Sequence, residues 1–482
     1  MWALRRTSRT YAITEDQSWR FLGRRLAALA ESPAFLLLVL AAGGCAAPEP
    51  PPQRIILVTI DTLRADHLGA YGYARGVSPF LDDLAGRSVV FEQTFSSCSH
   101  TAPSHASLFT SLQPAQHRLL VNGEVLDDQL LTIAELLSQQ GYRTAAFTPV
   151  KFLNGLAAGF DYFDSSDAYE PAEAVLTRAF EWLEKTGVDT RSFVWIHLYD
   201  VHEWIFPKHL HRQLVRWVVD NAELQGGELR RWLGEHHGLP ADLSEERVPI
   251  VRAVNRYDGQ LYAVDQALES FYGKLGAGDL LDGSIWFITS DHGEGLGNHH
   301  QMGHGKYIYD EQIRVPLLVH SPTGRLATGR VLDLVRLVDV APTIAALVGS
   351  SMEAQAIPVV GRSILPLLRD RRAQWTVTEA FSQRRPADER RVKKGWLPGD
   401  VYATRSDDRK LIINTEGSCE YYDLGTDPFE IDNVCDPSQP DIAELIRRLT
   451  AAFDAMQSQG EAMHSGVASP EVIEELKALG YL

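Results

Sequence analysis

The chain has 482 residues, enough for one large α/β domain and a smaller second one. Its 45% hydrophobic and 23% charged content is ordinary for a globular protein and excludes a mainly disordered chain. The 63 Asp and Glu outnumber the 46 Lys and Arg, giving a formal charge of −17 that argues against nucleic acid as a partner. A small anionic substrate stays open, because a bound metal ion reverses the local field.

Residues 1–53 read as a leader and tether outside the fold. Arg20, Arg24 and Arg25 precede an apolar run over 34–40, followed by Gly44 and Cys45. That order of basic, apolar and small residues makes a secretory signal. The apolar run is shorter than the roughly 20 residues a membrane span needs. Cys45 after Gly44 resembles a bacterial lipoprotein processing site. A lipid anchor at Cys45 and a place in the periplasm or at the cell surface are therefore expected. The Pro-rich stretch up to Pro52 is a stiff tether.

The short apolar run over 54–60 predicts a fully buried strand ending at Asp61. Helices are predicted over 77–85 and 130–140, the second closing at Gly141, with a strand over 143–148. A further strand over 193–199 leads to Asp200 and His202, and one over 284–289 leads to Ser290-Asp-His-Gly-Glu294. Between them, 203–252 reads as an insertion, with Leu210, Leu214, Trp217 and Val218 at the spacing of an amphipathic helix. Its Trp and His residues are expected to serve packing more than substrate contact. Beyond about residue 375 the pattern changes to shorter strands and a terminal helix over 470–478.

The expected fold is α/β, a doubly wound and mostly parallel sheet over 54–375, with a smaller α+β domain over 376–482. In such sheets ligands bind beyond the carboxyl ends of the strands, where three separate strands here deliver Asp or His. Cys98, Cys419 and Cys435 remain after Cys45. An exported location permits a Cys419–Cys435 disulfide, but two free thiols fit the sequence almost as well.

In Thr101-Ala-Pro-Ser-His-Ala-Ser-Leu-Phe109, Pro103 suits a first helical turn and the apolar residues give the helix a buried face. Thr101 then stands at a helix N-terminus, where free N–H groups attract an anion and favour an ionised hydroxyl. Alone, Thr101 would be read as a cap.

It does not stand alone. Ile60-Asp-Thr-Leu-Arg-Ala-Asp-His-Leu-Gly-Ala-Tyr-Gly-Tyr73 resembles the opening motif of the sulfatase family in the alkaline phosphatase superfamily. Ser290-Asp-His-Gly-Glu294, Val338-Asp-Val-Ala-Pro-Thr343, Tyr422-Asp-Leu-Gly-Thr-Asp-Pro-Phe-Glu430 and the closing Leu479-Gly-Tyr-Leu482 continue the likeness. It runs through nearly everything from Arg54 onward. The resemblance implies a metal-dependent hydrolase of sulfate or phosphate esters.

Departures from the family pattern sharpen this reading. Typical members have Cys-x-Pro-Ser-Arg where this chain has Thr101-Ala-Pro-Ser-His105, so the formylglycine made from that cysteine cannot form at Thr101. The second of two adjacent aspartates is Thr62, and the family's sulfate-binding lysine falls on His304. What remains, Asp61, Thr101, Asp291 and His292, is similar to the single-metal set of threonine-nucleophile phosphotransferases in the same superfamily. It suits a divalent ion, zinc, manganese or calcium. His105, His304 and His202 are expected to bind ester oxygens or protonate the leaving group. Three functions compete: a sulfate or phosphate ester hydrolase, a threonine-based phosphodiesterase or phosphotransferase on envelope lipid or glycan groups, and a non-catalytic binding protein.

Overall fold

The computed structural model describes residues 50–166, 170–204, 212–241, 250–354, 356–479 and 481. Cys45, the leader and Leu210 lie outside them. Strand β1, Arg54–Ile60, is buried along its whole length because its two faces serve two cores. Ile55 and Leu57 join Phe109, Ile133 and Leu137 on one face of the sheet. Ile56, Val58 and Ile60 join Leu81, Leu176 and Leu261 on the other. Apolar residues without alternation are what a sheet covered on both faces requires.

The strands that follow are β2 (Val89–Phe95), β3 (Arg143–Thr148), β4 (Tyr162–Ser165) and β5 (Ser192–Leu198). Next come β6 (Ser284–Thr289), β7 (Arg314–His320) and β8 (Gly329–Arg336). The eight form one sheet in the order β8-β2-β7-β6-β1-β5-β3-β4. β1 lies parallel between β5 and β6, with Thr59 level with both His197 and Thr289. Only β7 runs against its neighbours within the sheet. The ends of β1, β5 and β6 therefore share one edge, as expected for a doubly wound sheet.

Helix starts follow local chemistry. α1, Pro79–Ala85, begins with Pro in its first turn. α2 is Thr101–Thr110, and α3, Ile133–Gln139, starts later than its apolar pattern suggests because Thr132 and Glu135 form a capping box. The insertion carries two helices, α4 (Arg212–Asn221) and α5 (Gly226–His237). Trp217 stacks on Tyr262 with ring centroids 4.3 Å apart, a packing contact. Tyr262 belongs to α6, Ile250–Ala277, a 28-residue helix whose start the sequence pattern had assigned to the insertion.

The C-terminal part is a four-stranded antiparallel sheet: β9 (Ala380–Gln383), β10 (Val401–Arg405), β11 (Arg409–Asn414) and β12 (Cys419–Asp423). Helix α7, Pro440–Gly460, lays Leu445, Leu449 and Phe453 against Tyr402, Leu411 and Ile413. α8, Pro470–Ala478, matches the expected terminal helix and returns Val472 and Leu476 to the first core. Cys419 and Cys435 are bridged, which settles the pairing that the sequence left open, and Cys98 is a buried free thiol.

Candidate metal and ester site

Asp61 follows β1, Asp291 and His292 follow β6, and Thr101 opens α2, so three elements bring one cluster together. Thr101 Oγ1 lies 3.5 Å from Asp61 Oδ2 and 3.4 Å from His292 Nε2. His292 Nε2 is 3.4 Å from Asp291 Oδ2, and all four residues are buried. The backbone carbonyl of Gly293, 2.9 Å from His292 Nδ1, can only accept. His292 Nδ1 must therefore carry the proton, leaving a bare Nε2 that faces the carboxylates. Asp61, Asp291 and His292 can each place a ligand atom within 4.8 Å of the others. Among the described residues one further trio of this kind exists, Asp66, His67 and His237. There Arg64 already grips both Asp66 oxygens, at 2.8 and 2.6 Å, and repels a cation.

The unpaired atoms of the cluster are acceptors. Asp61 Oδ1 and Asp291 Oδ2 are buried without a hydrogen-bond partner. Burial, followed by the Asp291 charge, pushes the Asp61 carboxyl well above the usual carboxylate range. Burial also works to raise Asp291, but His292, His105 and His197 hold it below its ordinary value. Buried oxygens that face one another unpaired fit a cation between them. Thr62 has φ 57°, a strained value for a β-branched residue, at the turn that carries Asp61.

His197, inside β5, was not anticipated. Its Nε2 is 3.2 Å from Asp61 Oδ2 and has no hydrogen-bond partner. A chain of bonds assigns its proton. His105 Nδ1 donates to Thr101 O at 2.8 Å, so the Nε2 of a neutral His105 accepts the only proton of Thr59 Oγ1, at 3.0 Å. Thr59 Oγ1 accepts from Trp195 Nε1 at 3.0 Å, and its remaining lone pair takes the His197 Nδ1 proton, also at 3.0 Å. Nε2 of His197 is then bare. A polar level formed by Thr59, His197 and Thr289 on adjacent strands was the available signal.

The other predicted site residues divide. The His304 ring lies tilted against that of His292 with centroids 4.5 Å apart, and its Nδ1 is 3.5 Å from Glu294 Oε1. His202 lies 5.0 Å from His304 between centroids, and its Nε2 contacts Tyr481 Oη at 2.9 Å. Burial, then His304 and His292, depresses the His202 pKa well below its ordinary value. His105 stands apart: it is fully buried and both its nitrogens are engaged, against the expectation that it meets an ester oxygen. Helix geometry explains this, since residue i+4 lies over the Thr101 carbonyl. The helix start expected to attract an anion has two of its first four N–H groups engaged and lacks a third. Ala102 N is bonded to Asn122 Oδ1 at 2.9 Å, Pro103 has no N–H, and Ser104 N bonds His100 O at 3.0 Å. Asn122 Nδ2 is instead a buried donor without a partner.

Residues 53–350 match the sulfatase family model, and 297–459 match the C-terminal model of N-sulphoglucosamine sulphohydrolase. The chain belongs to the sulfatase family. A multifunctional alkaline phosphatase superfamily protein of Trinickia caryophylli is 24% identical, over 82% of this chain and 93% of that protein. The phosphonate monoester hydrolase of Agrobacterium radiobacter shares the fold with TM-score 0.64 at 19% identity, over 85% and 96% of the two chains. A structure solved with D-glucosamine-2-N,6-O-disulfate as its substrate also has TM-score 0.64 and 19% identity, over 86% and 98%. Sulfuric and phosphoric ester hydrolysis is the chemistry this family membership supports.

Proposed function

We propose that this chain is a divalent-metal-dependent hydrolase of a sulfate or phosphate ester in which Thr101 is the nucleophile. The observation that carries the reading is the set of buried unpaired acceptors, Asp61 Oδ1, Asp291 Oδ2 and His197 Nε2, beside the Thr101 hydroxyl and the bare His292 Nε2 that it contacts. Asp61, Asp291, His292 and Thr101 would hold the ion, and the donor set fits zinc, manganese or calcium. When bound, it would lower the hydroxyl pKa and offset charge on the attacked group.

The chain's own residues supply the rest. The Thr101 hydroxyl points at Asp61 Oδ2, which takes its proton as the oxygen attacks phosphorus or sulfur. The ester oxygen leaves opposite, with a proton from His304, and water then releases the group from Thr101. Asn122 Nδ2 supplies a donor for a non-bridging oxygen. His105 is a positioning residue that fixes the Thr101 carbonyl and, through Thr59, the His197 tautomer. The transferred group comes from an anionic glycan or lipid head group, and a lipid anchor at Cys45 would hold the enzyme at a membrane surface.

A threonine nucleophile favours phosphoryl transfer as the second reading, because it makes a phospho-threonine where formylglycine chemistry releases sulfate by another route. Purified chain, loaded with zinc, manganese or calcium, should be assayed on 4-nitrophenyl sulfate, 4-nitrophenyl phosphate and bis(4-nitrophenyl) phosphate. Turnover that disappears in Thr101→Ala supports the proposal. Turnover that survives this change removes the nucleophile, and the absence of both bound metal and turnover returns the binding-protein alternative.

A further inference from the structure

Beside the candidate metal cluster, and sharing His304 with its surroundings, lies a cavity of about 200 Å³. Its walls include Arg385, Arg390, Arg391 and Lys394, and no carboxylate. That is a dense concentration of positive charge in a chain whose formal charge is −17. Only Arg391 has an acid partner among the described residues, Asp388 three positions earlier. Arg385 is 8% exposed, and its guanidinium lies 5.5 Å from the centre of the Trp396 ring.

The unpaired atoms here have the opposite character to those of the metal cluster. An arginine N–H can only donate, so the contact of 2.9 Å between Arg385 Nη1 and His100 Nε2 makes that nitrogen the acceptor. The proton of a neutral His100 is then on Nδ1, which is buried with no partner, as is Arg385 Nε. His100 is 1% exposed, so neither donor finds compensation in water. Acceptors left over in one pocket call for a cation, and donors left over among cations call for an anion.

We propose that this cavity is an anion subsite for a second negatively charged group of the substrate, a carboxylate, sulfate or phosphate carried on the leaving-group side of the scissile ester. The proposal rests on the reading that the ester is cleaved at Thr101. His304 joins the two places, with its ring centroid 4.5 Å from that of His292 and 6.4 Å from that of His100. The subsite makes the enzyme prefer substrates with two or more anionic groups, and Arg supplies a planar fork suited to each of the three.

The test uses the metal-loaded full chain and two chromogenic esters, the 4-nitrophenyl ester and its 3-carboxy-4-nitrophenyl counterpart. The carboxylated ester should have a KM at least tenfold lower at low salt. Arg390→Gln with Lys394→Gln, both at exposed positions, should shrink that ratio at least threefold, and adding Arg385→Gln should remove it. Equal KM values for the two esters, or a ratio the variants leave intact, would overturn the subsite. Weakened inhibition by inorganic sulfate or phosphate, with kcat falling equally on both esters, would place the transferred group there and also overturn it.

Direct titration of Thr101→Ala with a heparin-derived disulfated disaccharide and with glycerol 1,3-bisphosphate needs no turnover. The tighter probe distinguishes a glycan from a lipid head group as the source. Binding that depends on Arg385 in a chain without turnover would leave the subsite standing while the hydrolase reading falls.

Discussion

Replacing Asp61 by Asn should change stability in opposite directions with and without metal. Without an ion, Asp61 and Asp291 are two wholly buried carboxylates whose oxygens fall within 4.8 Å. At that separation and an effective dielectric of 20, two full charges repel by about 3 kcal/mol. Burial and the Asp291 charge raise the Asp61 pKa, so this repulsion weakens as pH falls. The Asn amide keeps the shape, removes the charge and can donate to the bare His197 Nε2, so the metal-free variant should be about 1–3 kcal/mol more stable than wild type.

With metal at a thousand times its dissociation constant, wild type gains about 4.1 kcal/mol, and a variant lacking one anionic ligand gains little. The order of stabilities therefore reverses between EDTA and saturating zinc or manganese, as read by denaturant melts at pH 7. Metal-free wild type should also gain stability from this site as pH falls below the raised Asp61 pKa. That gain ends near the unfolded value of 3.8, and Asp61→Asn should abolish it. An Asp61→Asn chain less stable than wild type in EDTA, or equal metal stabilisation of both, would refute the reasoning.

Thr101→Ala should lose at least about 10³-fold in kcat while its metal affinity, measured by calorimetry, stays within about tenfold, because the other ligands remain. His299 faces two acceptors, Glu311 Oε1 at 2.9 Å and Glu430 O at 3.0 Å, and its pKa is raised to about 9 by Glu311 and Glu430 against the effect of burial. Its stabilisation is complete below pH 6.5 and lost as pH rises through 9, about 3 kcal/mol in all. His299→Gln should flatten that limb of the stability profile. Reducing the Cys419–Cys435 bridge, 16 residues apart, should cost about 3 kcal/mol in urea melts and leave KM unaffected, since it closes a loop of the C-terminal sheet.

The candidate metal cluster was legible because each proposed ligand occupies a position that chain chemistry marks. Asp61 and the Asp291–His292 pair end apolar strands, and Thr101 precedes a proline in a helix start, so a parallel sheet must bring them to one edge. His197 was hidden by the same logic. It sits inside an apolar strand, where a single histidine reads as a core residue until register places it level with Thr59 and its hydrogen bonds expose a bare nitrogen. The long helix α6 was missed for a related reason: its first turn continues an insertion whose hydrophobic pattern gives no boundary.

The basic cavity was hidden differently. Its residues, Arg385 to Trp396, belong to no motif the sequence displays, and nothing in their spacing predicts the distant His100. Folding brings them together and leaves two neighbouring clusters with opposite needs, one with unpaired acceptors and one with unpaired donors. A metal alone would complete only the first. A substrate with a single anionic ester would leave the Arg385 and His100 donors unmet, at a cost of about 1–3 kcal/mol for each buried group. A doubly anionic substrate on the metal-loaded chain satisfies both clusters, so the two proposals predict more together than either does alone.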